Sequence, residues 1–81
     1  MDDIRLHIVS PERTLVDERV SRVSLPGVVS PFQVLKDHAP LITALDAGTV
    51  KYVTGGEERE IRIRTGFVQV GGNEVNVAVE V

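Results

Sequence analysis

Apolar and polar residues alternate along much of this chain. Ile4, Leu6 and Ile8 are separated by Arg5 and His7, the period of two that marks a strand with one buried face. The alternation returns at the other end, where Val75, Val77, Val79 and Val81 are separated by Asn76, Ala78 and Glu80. Between these ends the pattern predicts strands at Thr14 to Val16, Arg19 to Leu25, Val34-Leu35, Leu41 to Leu45, Val50 to Val53, Glu60 to Arg64 and Phe67 to Val70. Val23 and Leu25 share a face with which Val20 is out of phase, so a bulge or short break is expected there. Ile61 and Ile63 face one way, Arg62 and Arg64 the other.

The punctuation fits short strands. Ser10-Pro11-Glu12 and Pro26-Gly27 read as stops, because proline fixes φ and donates nothing to a ladder. Thr54-Gly55-Gly56-Glu57 and Gly71-Gly72-Asn73 are tight-turn signals, and Gly48 reads as a turn before the strand at Val50. No window carries apolar residues at helical spacing for the length of a helix. The 15 valines and 5 isoleucines outnumber 6 leucines and 1 methionine, a β-branched bias that suits a pleated surface. The expected fold is all-β: one domain over residues 1–81, an antiparallel β-sandwich or flattened barrel of about eight to ten short strands in two sheets. A parallel sheet is excluded on the ground that each of its crossovers needs a dozen or more residues.

Composition narrows the function classes. The net charge of −3 over 81 residues, with arginines interleaved among acids, leaves no concentrated basic face for nucleic acid. No apolar run approaches the ~20 residues of a spanning helix, so no direct membrane insertion is expected. Met1-Asp2-Asp3 lacks the basic and apolar regions of a signal peptide, which implies a protein kept inside the cell unless a partner carries it to a membrane. The absence of cysteine removes disulfides, thiolate metal sites and cysteine nucleophiles together.

Catalytic constellations are not legible. His7 lies on the polar side of its strand and reads as a surface residue. His38 lies beside Asp37, so it is either half of an acid–base pair or a histidine that orders its loop through the backbone. No paired-histidine metal spacing and no Gly-x-Ser-x-Gly elbow occurs. The glycine pairs are not followed by helices, so they are not phosphate cradles. Glu57, Glu58 and Glu60 read as a solvated hairpin end. No catalytic, cofactor-binding or metal-ligating residue is assigned. The unusual feature is apolar material in the least regular stretch: Val28, Val29, Pro31 and Phe32, then Pro40, Leu41 and Ile42. Such residues either form a partner surface or cap the open end of the sandwich.

Leu25-Pro26-Gly27, Phe32, Val34-Leu35, and above all His38-Ala39-Pro40-Leu41 followed by Thr43, Ala44, Leu45 and Gly48, resemble the epsilon subunit of bacterial and chloroplast F-type ATP synthases (delta in mitochondria). Pro11-Glu12, Thr65-Gly66-Phe67 and Asn73-Glu74-Val75 fall at matching places, so the resemblance runs from Ile4 to Val81. It implies a non-catalytic part of the central rotor stalk, joining the gamma subunit to the membrane c-ring at the cytoplasmic face of the bacterial inner membrane. The ring-facing residues it implies are Val28, Val29, Ser30, Pro31, Phe32, Lys36 and His38, with Pro40, Leu41, Ile42 and Thr43 shared between ring and gamma. Two places depart from the family pattern. Ser30-Pro31-Phe32-Gln33 stands for a Gly-Glu-Phe-Gly-like loop, leaving Asp37 to supply charge nearby, and Lys36-Asp37 stands for Pro-Gly before the histidine. The sequence ends at Val81, where the family usually continues into a helix pair, so neither helix-mediated inhibition nor nucleotide binding is expected of these residues. The rivals are a free-standing β-sandwich adaptor or carbohydrate-type module, which needs a groove lined by Phe32, Tyr52 and Phe67, and an enzyme built on Asp37 and His38.

Overall fold

In the computed structural model, which describes residues 1–81, the chain forms nine strands and no helix. They are β1 (Ile4–Val9), β2 (Thr14–Val20), β3 (Arg22–Leu25), β4 (Phe32–Val34), β5 (Leu41–Leu45), β6 (Gly48–Thr54), β7 (Glu57–Ile63), β8 (Thr65–Gly71) and β9 (Glu74–Glu80). Five of them pair in the order β2-β1-β9-β8-β5, and four in the order β4-β3-β6-β7. The two sheets face each other across a core of 17 buried apolar side chains, among them Leu6, Val23, Val50 and Val75 at 0% exposure. No charged residue is fully buried, and the core is hydrocarbon apart from the Tyr52 phenol.

The β-sandwich expectation holds, with one correction. β1 and β9 pair in parallel, from Arg5↔Glu74 to Val9↔Ala78, in the middle of the five-stranded sheet. Every other pair is antiparallel. A parallel pair needs a long crossover. Here the crossover is nearly the whole fold, because the partners are the first and last strands.

The out-of-phase valine has a structural cause. β2 runs on to Val20, beyond the predicted end at Val16, and the chain then passes from one sheet to the other at Ser21. The Ser21 amide donates to the Val53 carbonyl at 2.8 Å, and the Thr54 hydroxyl donates to the Arg19 carbonyl at 2.9 Å. Val20 and Val23 are therefore both buried although they stand three positions apart, an offset that would put them on opposite faces of one continuous strand. The opposite flank closes similarly. Gly27 bridges to Leu45, with the Asp46 amide on the Pro26 carbonyl (2.8 Å) and the Val28 amide on the Ala44 carbonyl (3.1 Å). The two hairpin loops place positive φ at Gly55 and Gly56, and at Gly72 and Asn73, as two-residue turns between twisted strands demand.

Candidate functional site

The sequence-predicted site residues lie along one flank of the sandwich, where β4 and β5 form the free edges of the two sheets. Between β3 and β4 the chain turns outward. Val29 is 90% exposed at the tip and Val28 is 47% exposed beside it. Gly27 permits that exit because its backbone runs close under the loop: a Cβ there would stand 2.6 Å from the Ser30 carbonyl oxygen and 3.0 Å from Phe32 Cε1. Val29, Ser30, Phe32, Leu41 and Thr43 line a shallow depression of about 320 Å³. Phe32 and Leu41 are half-buried and pack against the core, so they brace the flank rather than stand free on it. Pro31 and Pro40 are exposed, and Ile42, at 71% exposure, points to the outer face of the five-stranded sheet.

The same stretch has a second, separate end. β4 pairs with β3 through Leu25↔Phe32 and Val23↔Val34, so Lys36 emerges at the opposite end of β4 from Val29. Its ammonium lies 4.0 Å from the Asp3 carboxylate, at the start of β1. His38 returns toward the middle, with its ring 6.5 Å from that of Phe32. Its Nδ1 donates to the Ala39 carbonyl at 2.6 Å, which selects the Nδ1–H tautomer and orders the loop through the backbone.

The catalytic alternative does not survive this geometry. The Asp37 carboxylate accepts a hydrogen bond from the Asn73 amide at 3.0 Å, while the His38 ring is engaged with Ala39. Neither Asp37 nor His38 lines a depression in the surface. The three aromatic residues do not converge on a carbohydrate groove either. Tyr52 is buried at 5% exposure, Phe32 braces the flank, and Phe67 sits on the outer face of the five-stranded sheet.

Phe67 is absent from the ring- and gamma-facing residues that the resemblance implies, yet it stands on the surface. It is 62% exposed and, with Ile42, Val9, Ala78, Gln69 and Asn76, lines an open groove of about 390 Å³. His7 lines the same groove and is half-buried, less solvated than its position on a polar strand face suggests. The phase of β8 contained the signal. Val68 and Val70 are core residues, so Phe67 and Gln69 must point outward. Burial raises the Tyr52 phenol above its ordinary pKa, the nearby Glu18 carboxylate raises it further, and Arg59 partly opposes both.

Residues 3–81 match the family model described as the ATP synthase Delta/Epsilon chain, beta-sandwich domain. The chain is 43% identical over 76 residues to the ATP synthase epsilon chain of Carboxydothermus hydrogenoformans, covering 94% of this chain and 57% of that one. It is 39% identical over 80 residues to the epsilon chain of Solibacter usitatus, covering 99% of this chain and 60% of that one. The chain thus spans less than two thirds of the length of these relatives. Among solved structures, it superimposes with a TM-score of 0.88 and 21% identity on a chain of the Euglena gracilis mitochondrial ATP synthase, covering 98% of this chain and 51% of that one. A chain from the central stalk and c-ring structure of the Tetrahymena thermophila mitochondrial enzyme gives 0.82 at 13% identity, with 98% and 64% covered. The structural likeness establishes the sandwich, and the match over residues 3–81 places the chain in the delta/epsilon β-sandwich family of ATP synthase.

Proposed function

We propose that this chain is a non-catalytic rotor element of an F-type ATP synthase, joining the gamma subunit to the membrane c-ring so that ion-driven rotation reaches the catalytic head. No helix is long and apolar enough to cross a membrane, and the proposed place is peripheral, at the cytoplasmic face of the bacterial inner membrane. The observation that carries the proposal is the exposed apolar tip at Val28 and Val29, mounted on a flank that Phe32 and Leu41 brace against the core. Exposed valine serves a contact better than it serves solvation. A braced base transmits torque because the strands of each sheet are coupled through continuous ladders.

The tip Val28 to Pro31 is assigned to the ring. The flank of Pro40 to Thr43, continuous through Ile42 with Phe67, is assigned to gamma, and His38 goes with it in place of the ring contact that the resemblance implies, because its ring stands beside Phe32 on this flank. Lys36 lies at the other end of β4 from the tip, which leaves it the weakest of the ring-facing candidates. A stable joint buries on the order of 1,200–2,000 Å² in total, about half of it from each side, so this chain would contribute roughly an eighth to a fifth of its 4884 Å² of accessible surface. The test is co-expression with gamma and c subunits from the same source, followed by a pull-down through this chain. Retention of both supports the proposal, and a folded chain that retains neither overturns it.

A further inference from the structure

The turn that carries His38 is held by a residue from a distant part of the sequence. Leu35 to His38 closes through the His38 amide on the Leu35 carbonyl, at 3.1 Å. Asp37, its third residue, has φ of 64°. A turn with positive φ at this position favours glycine, since a side chain is unfavourable in the left-handed region. Asp37 occupies it with two hydrogen bonds to one partner. Its amide donates to Asn73 Oδ1 at 2.6 Å, and Asn73 Nδ2 donates to Asp37 Oδ1 at 3.0 Å. The single carboxamide therefore engages both the backbone and the side chain of Asp37.

Asn73 is well mounted for this work. It lies in the β8–β9 loop, itself at φ of 60°, and its carbonyl accepts the Arg5 amide of β1 at 2.9 Å. Leu6, next to Arg5, and Val75, two residues beyond Asn73, are both at 0% exposure, so the loop is anchored at the end of β9, the central strand of the five-stranded sheet. The adjacent Lys36–Asp3 pair is long and exposed, and adds little.

We propose that Asn73 is a positioning residue: it locks Asp37 in the left-handed conformation and so fixes the turn that presents His38 to the subunit docked on this flank. The consequence for docking rests on the rotor role proposed above, whereas the lock itself does not. Asn73→Gly removes the carboxamide but keeps a residue that accepts positive φ. Asp37→Gly removes the carboxylate and the cost of the left-handed conformation but keeps the amide that donates to Asn73 Oδ1, so the turn depends less on the lock.

The measurement is amide hydrogen exchange on the 81-residue chain for these two variants and their double variant. Asn73→Gly is expected to accelerate exchange at Asp37 and His38 about tenfold, while the core amides of Leu6 and Val77 keep their protection. In the Asp37→Gly background, Asn73→Gly is expected to accelerate His38 clearly less, because glycine accepts positive φ without the carboxamide. Unchanged exchange at Asp37 and His38 in Asn73→Gly overturns the lock, as does equal acceleration of His38 in both backgrounds. Gamma binding measured on the same variants separates the two proposals. Faster exchange with weaker binding supports both, whereas faster exchange with unchanged binding supports the lock and counts against gamma on this flank.

Discussion

Replacing Gly66 by alanine puts a methyl group where strand β9 already stands. An ideal Cβ at Gly66 lies 2.7 Å from the Ala78 carbonyl oxygen, 3.0 Å from Val79 Cγ1 and 3.4 Å from Val79 Cα. The nearest obstacle is backbone, and β9 is bonded to β1 on its other side, so it cannot retreat without loosening a second ladder. Overpacking of this kind costs about 1–3 kcal/mol, and the upper half applies where backbone must move. Alanine returns about 0.4–1 kcal/mol by restricting the unfolded chain. The net loss is about 1–2.5 kcal/mol, which for a domain of this size lowers the melting temperature by about 4–20 °C. Gly71, in the same strand, is the control. Nothing lies within 4 Å of its Cβ position and its φ is not positive, so Gly71→Ala is expected to be neutral or to gain about 0.4–1 kcal/mol. Thermal and urea unfolding of the three proteins by circular dichroism decides the matter. A Gly66→Ala variant as stable as the parent, or a Gly71→Ala variant that falls equally far, refutes the crowding account.

Two further outcomes follow from the packing. The fold holds the Tyr52 proton more tightly than the unfolded chain does, so this contribution to stability is complete below about pH 10 and declines as pH rises beyond it. Urea denaturation across that range is expected to show a steeper decline for the parent than for Tyr52→Phe, and parallel declines contradict it. Phe32→Ala is expected to cost about 1.5–2.5 kcal/mol, roughly half the full-burial value, because the ring is only half-buried against the core. A loss below about 0.5 kcal/mol in urea denaturation would show that the ring does not brace the flank.

The legibility of the fold followed the locality of its causes. β1, β8 and β9 were readable because each alternates cleanly and each inward residue is a valine, isoleucine, leucine or glycine. β2 was cut short because Glu18 occupies the inward phase between Val16 and Val20, where it remains half-buried near the sheet edge. A charge in that phase hides the alternation. The parallel β1–β9 pair is not written in any local window, since it joins the two ends of the chain. At the site, the apolar tip was visible as valines where turn residues belong. The separation of Lys36 from Val29 depended on the three-residue length of β4, and the engagement of Asp37 by Asn73 depended on a contact between residues 36 positions apart. The sequence offers Asp37 as a charge near the tip. Its carboxylate is instead committed to the carboxamide at the other end of β4.

Val29→Asp offers the most direct test of the rotor assignment. Val29 is 90% exposed, so the change is expected to alter folding stability by no more than about 0.5 kcal/mol. A charge placed at an apolar contact with the ring is expected to weaken binding at least about tenfold, equivalent to about 1.4 kcal/mol. The measurement is the affinity of the purified chain, parent and variant, for a reconstituted gamma–c-ring assembly, alongside their melting temperatures. Tight binding by the parent, weakened tenfold or more in a variant that melts normally, is the predicted result. Equal affinity of the two proteins, or no binding by a folded parent, would contradict the account.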